Sequence, residues 1–441
     1  MKRNVIILSV LAFFVNLGFG AVMPLLPFLL LSYEGKLTDL PENLGKIPAA
    51  SEIALQMTIL MSAFMITRAF LAAYFGNLSD KVGRKKIISI GLALYTVISI
   101  GYALSTNWIE LLFVRAVQGV ASAMVWPVAE AMLTDSVLWS ERGRYMGWYM
   151  TASNISFFIG PTFGAYLYKV AVIVFNFGLP FSLVFPFYVL ALLSLVGFIL
   201  NFFAVETIIG ERRVGIREAL RNSINDSFNS TIELPSEVSR SIKVIYVMGL
   251  ANGVAMGLVA PITSIFVIQY ITSDPAAIGY LSTIAGFVGF LVNYPAGYIS
   301  DIVGRKKIVI LAQLMTRTVT FLMPFTKKYG DLVLLYSTRA AAFNMMSPAY
   351  RALQADLVPK KLRGRVFGTV QSLFNVGAAS APIGGYIYQI SAKWSFNILG
   401  YIVPGVAVSF WLSAAIGIFT TILFILFVIE PTRELKERIS K

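Results

Sequence analysis

The chain has 441 residues, of which 57% are hydrophobic and 13% charged, and its mean hydropathy is +0.75. A water-soluble domain carries about 25% charged residues, so these proportions exclude a soluble globular protein and make lipid the solvent. The lack of any cysteine or histidine excludes disulfides, thiolate metal sites and imidazole acid–base chemistry, so neither an enzyme, a cofactor nor a metal ion is expected.

In chain order, Met1-Lys2-Arg3 opens an apolar run that continues to Leu31. It is too long for a signal-peptide core, and no small-residue cleavage site ends it. Twelve stretches reach the ~20 apolar residues a membrane helix needs. They lie near 5–31, 51–75, 87–105, 108–134, 146–170, 181–205, 244–271, 276–297, 308–325, 332–356, 366–390 and 404–429. The runs are continuous rather than alternating and are long for barrel strands, so the expected fold class is all-α with twelve transmembrane helices.

The second half repeats the first. Residues 76–86 read GNLSDKVGRKK and residues 297–307 read GYISDIVGRKK, 221 residues apart. At the same offset Pro127, Asp135, Arg142-Gly143-Arg144, Gly147, Pro161 and Gly164 recur as Pro348, Asp356, Arg363-Gly364-Arg365, Gly368, Pro382 and Gly385. A period of half the chain implies two related halves, which in an apolar chain is the mark of a secondary transporter. The expected organisation is a six-helix bundle over 1–205, a linker over 206–243, a second bundle over 244–430 and a tail over 431–441. The linker holds six acidic and six basic residues and suits a short amphipathic helix around Ile208–Leu220, or a regulatory segment. The segment Ser32–Ala50 lengthens the opening helical pair of the first half relative to that of the second.

With the N-terminus cytoplasmic, 25 of the 36 Lys and Arg fall in cytoplasmic loops and tails, and only Lys36, Lys46, Lys169, Lys327, Lys328 and Lys393 lie outside. That asymmetry places both termini inside. The net charge of +14 therefore faces anionic lipid, and no nucleic-acid partner is expected.

The glycine-bounded loop after the second span resembles the major facilitator superfamily, whose pattern there is G-x-L-x-D-x-x-G-R-[KR]-[KR]. Gly76, Leu78, Asp80, Gly83, Arg84, Lys85 and Lys86 match it; the second copy departs at Ile299 and Ile302. The resemblance covers essentially the whole chain and implies two pseudo-symmetric six-helix bundles. It also implies that the loop locks the cytoplasmic side. Gly76, Asp80, Gly83, Arg84 and Asp135 form one expected gate, and Gly297, Asp301, Gly304, Arg305 and Asp356 the other. In physical terms an Asp can cap a helix start and an Arg can bridge it to a second carboxylate. The same loop also suits a role in insertion and folding alone.

The fourth span reads RAVQGVASAMVWPVAEAMLTD. Arg115, Gly119, Ser122, Trp126 and Glu130 share one face at helical spacing, with Arg115 and Glu130 about 22 Å apart along it. Arg115, Gln118 and Gly119 resemble the R-x-x-Q-G motif of proton-coupled members. Glu130 is the only carboxylate well inside any span, which makes it and Arg115 the candidates for proton coupling. A static ion pair is the other reading, with Arg351, the repeat equivalent of Glu130, as partner. Arg115, Trp126, Glu130, Arg339, Phe343, Tyr350 and Arg351 are the expected substrate pathway. Arg68 and Arg317 also fall within spans. Snorkelling suits Arg68, and Gln313 is a candidate partner for Arg317.

The fifth span resembles the antiporter motif of the family, although Ser156 and Ala165 replace two of its glycines. Gly147, Gly160, Pro161 and Gly164, with Gly368, Gly377, Pro382 and Gly385, are the expected helix-packing seam. The closest subgroup by motif is the twelve-span proton-coupled drug or metabolite antiporters. The expected function is export of a hydrophobic or amphipathic solute in exchange for protons, by a monomer in the plasma membrane. Proton-coupled uptake of a small organic anion or sugar, with Arg115, Arg339 and Arg351 as anion ligands, and a receptor or scaffold that has lost transport are the alternatives.

Overall fold

The computed structural model describes residues 2–138, 141–207, 235–398 and 400–431. The expected amphipathic helix around Ile208–Leu220, most of the linker and nearly all of the tail lie outside them. Lipid offers no hydrogen bonds to a bare backbone, so an apolar chain satisfies its amides within helices.

The first span is α1 (Lys2–Val22), a 3₁₀ turn and α2 (Leu26–Tyr33); a short α3 (Pro41–Leu44) follows. Then come α4 (Ala54–Val82), α5 (Arg84–Leu104), α6 (Trp108–Asp135), α7 (Arg142–Ile173) and α8 (Phe181–Phe202). The second half holds α9 (Ser236–Phe266), α10 (Pro275–Val303), α11 (Arg305–Leu322), α12 (Tyr329–Asp356), α13 (Lys360–Ala378), α14 (Ala381–Ser391) and α15 (Ala407–Phe427). Between α14 and α15 runs an antiparallel hairpin, β1 (Ser395–Ile398) with β2 (Tyr401–Pro404), in register Ser395↔Pro404.

Among the described residues, ten stretches are long and apolar enough to cross a membrane. The expected spans over 332–356 and 366–390 are helical but fall outside that set. The first is α12, 28 residues long, diluted by Ser337, Thr338, Arg339, Asn344 and Arg351. The second is divided into α13 and α14.

Two compact units emerge: Met1–Ile47, Ile59–Phe228 and Ser273–Thr283 form one, and Pro48–Thr58, Asn229–Thr272 and Ile284–Lys441 the other. In the first, α1 packs along α7 and α8, and α5 along α6 and α8. In the second, α9 packs along α13 and α15, and α11 along α12 and α15. The same pairing occurs in both, so the repeat read in the sequence is a repeat of packing. Large apolar side chains such as Phe70, Phe113 and Leu426 stay exposed, as lipid-facing positions must.

Local chemistry sets the helix boundaries. Asn107 accepts the amide protons of Ile109 and Glu110 at 3.1 and 3.0 Å, and Glu110 reaches back to the Thr106 amide at 2.8 Å, a reciprocal cap at the start of α6. Gly83 and Gly304 separate α4 from α5 and α10 from α11 at φ of +108° and +107°, a backbone geometry that strains any residue with a β-carbon.

Candidate functional site

The duplicated loops build matching charge clusters. Arg84 follows Gly83 at the start of α5, where it meets both the end of its preceding helix and the end of α6. Its Nη2 lies 3.2 Å from Asp80 and 3.0 Å from Asp135. In the second unit Arg305 lies 3.1 Å from Asp301 and 2.5 Å from Asp356, and also donates to the Ala352 carbonyl at 3.1 Å. Charge-assisted hydrogen bonds of this kind are the stronger class of side-chain hydrogen bond, although the aspartates here keep some solvent contact, which weakens each pair. The repeated Arg-Gly-Arg segments also have matched contacts. Arg142 donates to the Thr134 carbonyl at 3.1 Å and Arg363 to the Ala355 carbonyl at 3.0 Å. Each caps the last turn of the helix before it, where a cation is favoured.

A third carboxylate in each cluster was not anticipated from sequence. Glu206, just past α8, accepts the backbone amides of Arg84 and Lys85, both at 3.0 Å. Glu430, just past α15, accepts the amide of Arg305 at 2.6 Å. Lys85 donates to the Phe202 carbonyl and Lys306 to the Ile425 carbonyl. Each glutamate thus serves as the N-cap that glycine at 83 or 304 cannot supply, and it adds negative charge at the positive end of a helix. A β-carbon at position 83 would also come within 2.6 Å of Glu206. Glu206→Ala is expected to destabilise the first unit by about 1–2 kcal/mol, the value of a helix cap. A thermal melt of the purified protein, read against Glu206→Gln, checks this; equal Tm for Glu206→Ala and wild type would remove the cap from the account.

The stripe on α6 is divided into distinct environments. Arg115 is fully buried. It donates to Gln118 Oε1 at 2.6 Å and to the sulfurs of Met23 and Met61 at 3.1 Å, and its guanidinium stands 5.7 and 5.5 Å from the Phe19 and Phe64 ring centres. Tyr102 donates to the same Gln118 oxygen at 2.7 Å. Soft sulfurs and ring faces can stabilise a cation where no carboxylate stands. Trp126 donates to the Tyr95 hydroxyl at 3.2 Å.

Glu130, four residues further along, is partly buried and makes no hydrogen bond or ion pair among the described residues. Within the first unit the charge of Arg68 on α4, an exposed side chain, acts on it. In the second unit Arg339 and Tyr350 are partly buried, while Phe343 and Arg351 are exposed. Tyr350 stacks toward Phe424 at 6.3 Å. Arg317 bonds Asn252 rather than the expected Gln313, because it reaches across the bundle to α9 instead of along its own helix.

The small residues of α7 and α13 divide by contact. Gly160 and Gly164 lie against Gly20 and Ala21 of α1, and Gly377 against Leu250 and Gly253 of α9. Gly385 meets Ala54 and Thr58. Gly147 and Gly368 have nothing within 4 Å of a β-carbon position, and Gly76 is equally open. The carbonyl of Pro161 faces Gly279. The close approaches at 160, 164 and 377 are contacts inside one unit.

A family model described as Major Facilitator Superfamily matches residues 8–228 and 245–441. The chain belongs to the major facilitator superfamily. It is therefore an integral membrane transporter of small-molecule solutes rather than an enzyme. Among its relatives in the superfamily, multidrug resistance protein 2 of Bacillus subtilis is 22% identical over 407 residues, spanning 91% of this chain and 92% of the relative. Multidrug resistance protein MdtG of Salmonella arizonae is 24% identical over 416 residues, spanning 92% and 93%. A solved bacterial homologue of the human lysosomal transporter Spinster has the same fold, with a TM-score of 0.72 at 13% identity, covering 99% of this chain and 97% of its own.

Proposed function

We propose that this protein exports hydrophobic or amphipathic small molecules in exchange for protons. It works as a monomer in the plasma membrane with both termini cytoplasmic, by alternating access between an N-terminal bundle (1–205) and a C-terminal bundle (244–430). The observation that carries this reading is Glu130. It is the one carboxylate deep within a span, it makes no hydrogen bond among the described residues, and the charge of Arg68 acts on it. A carboxyl group in such a place can take up and release a proton without first breaking a structural bond. The names of the two relatives described above, both multidrug resistance proteins, support the solute class, and the R-x-x-Q-G likeness at Arg115 supports proton coupling.

In this mechanism a proton arriving from outside neutralises Glu130 and displaces solute. Loss of the proton to the cytoplasm restores the anion and readies the site for the next solute. Arg115 fixes the positive field at the other end of the α6 stripe. The Arg84 and Arg305 clusters act as breakable latches on the cytoplasmic side, closed while the protein faces out. The glycine contacts along α7 and α13 keep each half rigid while it rocks.

The test uses purified protein in liposomes that enclose a pH-sensitive dye. Gradients of lipophilic dyes, sugars and organic acids are imposed in turn. The expected result is proton movement driven by lipophilic solutes and by neither of the other classes. Proton-coupled movement of an organic acid or sugar would reverse the solute assignment, and solute movement without protons would remove the coupling.

A further inference from the structure

The second unit holds two guanidinium groups that the export mechanism does not use. Arg317 on α11 points into the bundle: its Nη2 donates to Asn252 Oδ1 on α9 at 2.5 Å, and Thr420 on α15 donates to the same oxygen at 3.3 Å. Its side chain crosses α15 at Gly417, where any β-carbon would overlap the guanidinium. A glycine therefore keeps this path open, and the side chain is not running along its helix toward a membrane surface. Among the described residues the buried Nε of Arg317 has no hydrogen-bond partner, and neither has the amide oxygen of the buried Gln313 one turn earlier.

Arg339 is partly buried on α12, the helix that packs along α11, and its charge acts on Arg317. It makes no hydrogen bond or ion pair among the described residues. The sequence supplies no compensating acid. Glu237, Asp301, Asp331, Asp356 and Glu430 all stand at or beyond helix ends, and the stretches 244–271, 308–325, 332–355, 366–390 and 404–429 contain no carboxylate. The repeat-related positions in the first half are the uncharged Thr96 and Gln118. In that half Arg115 is met by an amide oxygen, two sulfurs and two rings, so the arrangement in the second half is not a property of the repeat.

Arginine does not discharge by losing its proton. Two such groups on neighbouring helices repel each other, and an anion between them relieves that repulsion. Their forked donors match two oxygens of one group. We propose that Arg317 and Arg339 form a binding site for an oxyanion, a carboxylate or phosphate group, inside the second unit. Asn252 and Thr420 orient Arg317, and Gly417 admits it. The site does not depend on the direction or ion coupling of transport.

The experiment is a thermal melt of the delipidated full-length protein in neutral maltoside, with ionic strength held by chloride. Inorganic phosphate, benzoate and phosphatidylglycerol are titrated separately. At least one should raise Tm in a saturable way. Arg317→Gln and Arg339→Gln should each weaken that response at least tenfold, while Lys327→Gln, which removes an exposed cation elsewhere, should leave it intact. A response to phosphate or benzoate identifies a soluble anion or the acidic group of a solute. A response to phosphatidylglycerol alone identifies a lipid headgroup. Should Arg317→Gln fail to fold, Arg317→Lys retains the charge without the fork and is expected to show the same weakening. No saturable response to any of the three, or one unchanged in both the Arg317 and Arg339 variants, overturns the site. Because no transport is measured, its failure leaves proton-coupled export untouched.

Discussion

Glu130→Gln is expected to abolish proton movement coupled to solute while leaving the protein folded. Glutamine has the shape of a protonated glutamate and no charge, so it holds α6 in one of the two states the cycle requires. Glu130 makes no hydrogen bond among the described residues that the change would break, so stability should move little. Loss of a positioned proton-transfer group lowers rate by on the order of 100-fold or more, and net solute-driven proton flux should fall by that amount. The pH dependence distinguishes the roles. If solute binds the ionised form, its binding to wild type weakens as pH falls, because protons compete for the same carboxylate. In Glu130→Gln the binding should be independent of pH, and Glu130→Asp should restore the dependence. Parallel pH profiles for wild type and Glu130→Gln would show that another group carries the proton.

Much of this was readable from the chain because the relevant constraints are local or repeated. Lipid forces helices, so apolar runs gave their places, and the spacing of 221 residues gave the duplication that reappears as matched packing pairs. Asp80, Arg84 and Asp135 came from the resemblance of the loop to the family pattern, and the structure brings the three together across the break at Gly83. Glu206 and Glu430 escaped because they stand 224 residues apart, outside the common offset, and cap helices 122 and 125 residues away in sequence. Helical phase gave the stripe on α6 but not which neighbouring helix would face it. Asn252 as the partner of Arg317 is a contact between helices that no periodicity encodes. The hairpin at 395–404 and the polar character of α12 show a similar limit. A hydropathy window averages over the few polar residues that decide how a span differs from its neighbours.

Gly164→Ala is expected to destabilise the first unit by about 3 kcal/mol, and Gly164→Leu to prevent its folding. The reason is the nature of the neighbour. A β-carbon on Gly164 would overlap the carbonyl group of Ala21 on α1, and a backbone cannot turn aside as a side chain can. Overpacking a close-packed interior costs about 1–3 kcal/mol, occasionally more, and contact with fixed backbone lies at the upper end of that range. Close backbone approach at small residues is also a principal source of attraction between helices in lipid, so parting α1 from α7 forfeits contacts along both. Gly147→Ala, on the same helix, is the control: nothing lies within 4 Å of the added carbon, and alanine favours a helix over glycine by about 1 kcal/mol, so stability should hold or rise. The recovered fraction of monodisperse protein and its Tm separate the two. The effect should extend to function, because α1 continues into the turn that places Met23 against Arg115. A displaced α1 withdraws that sulfur and moves Phe19 away from the guanidinium, leaving the buried charge of Arg115 with fewer of its partners. Equal stability of Gly164→Ala and Gly147→Ala would mean that α1 and α7 do not approach as closely as Gly160 and Gly164 permit.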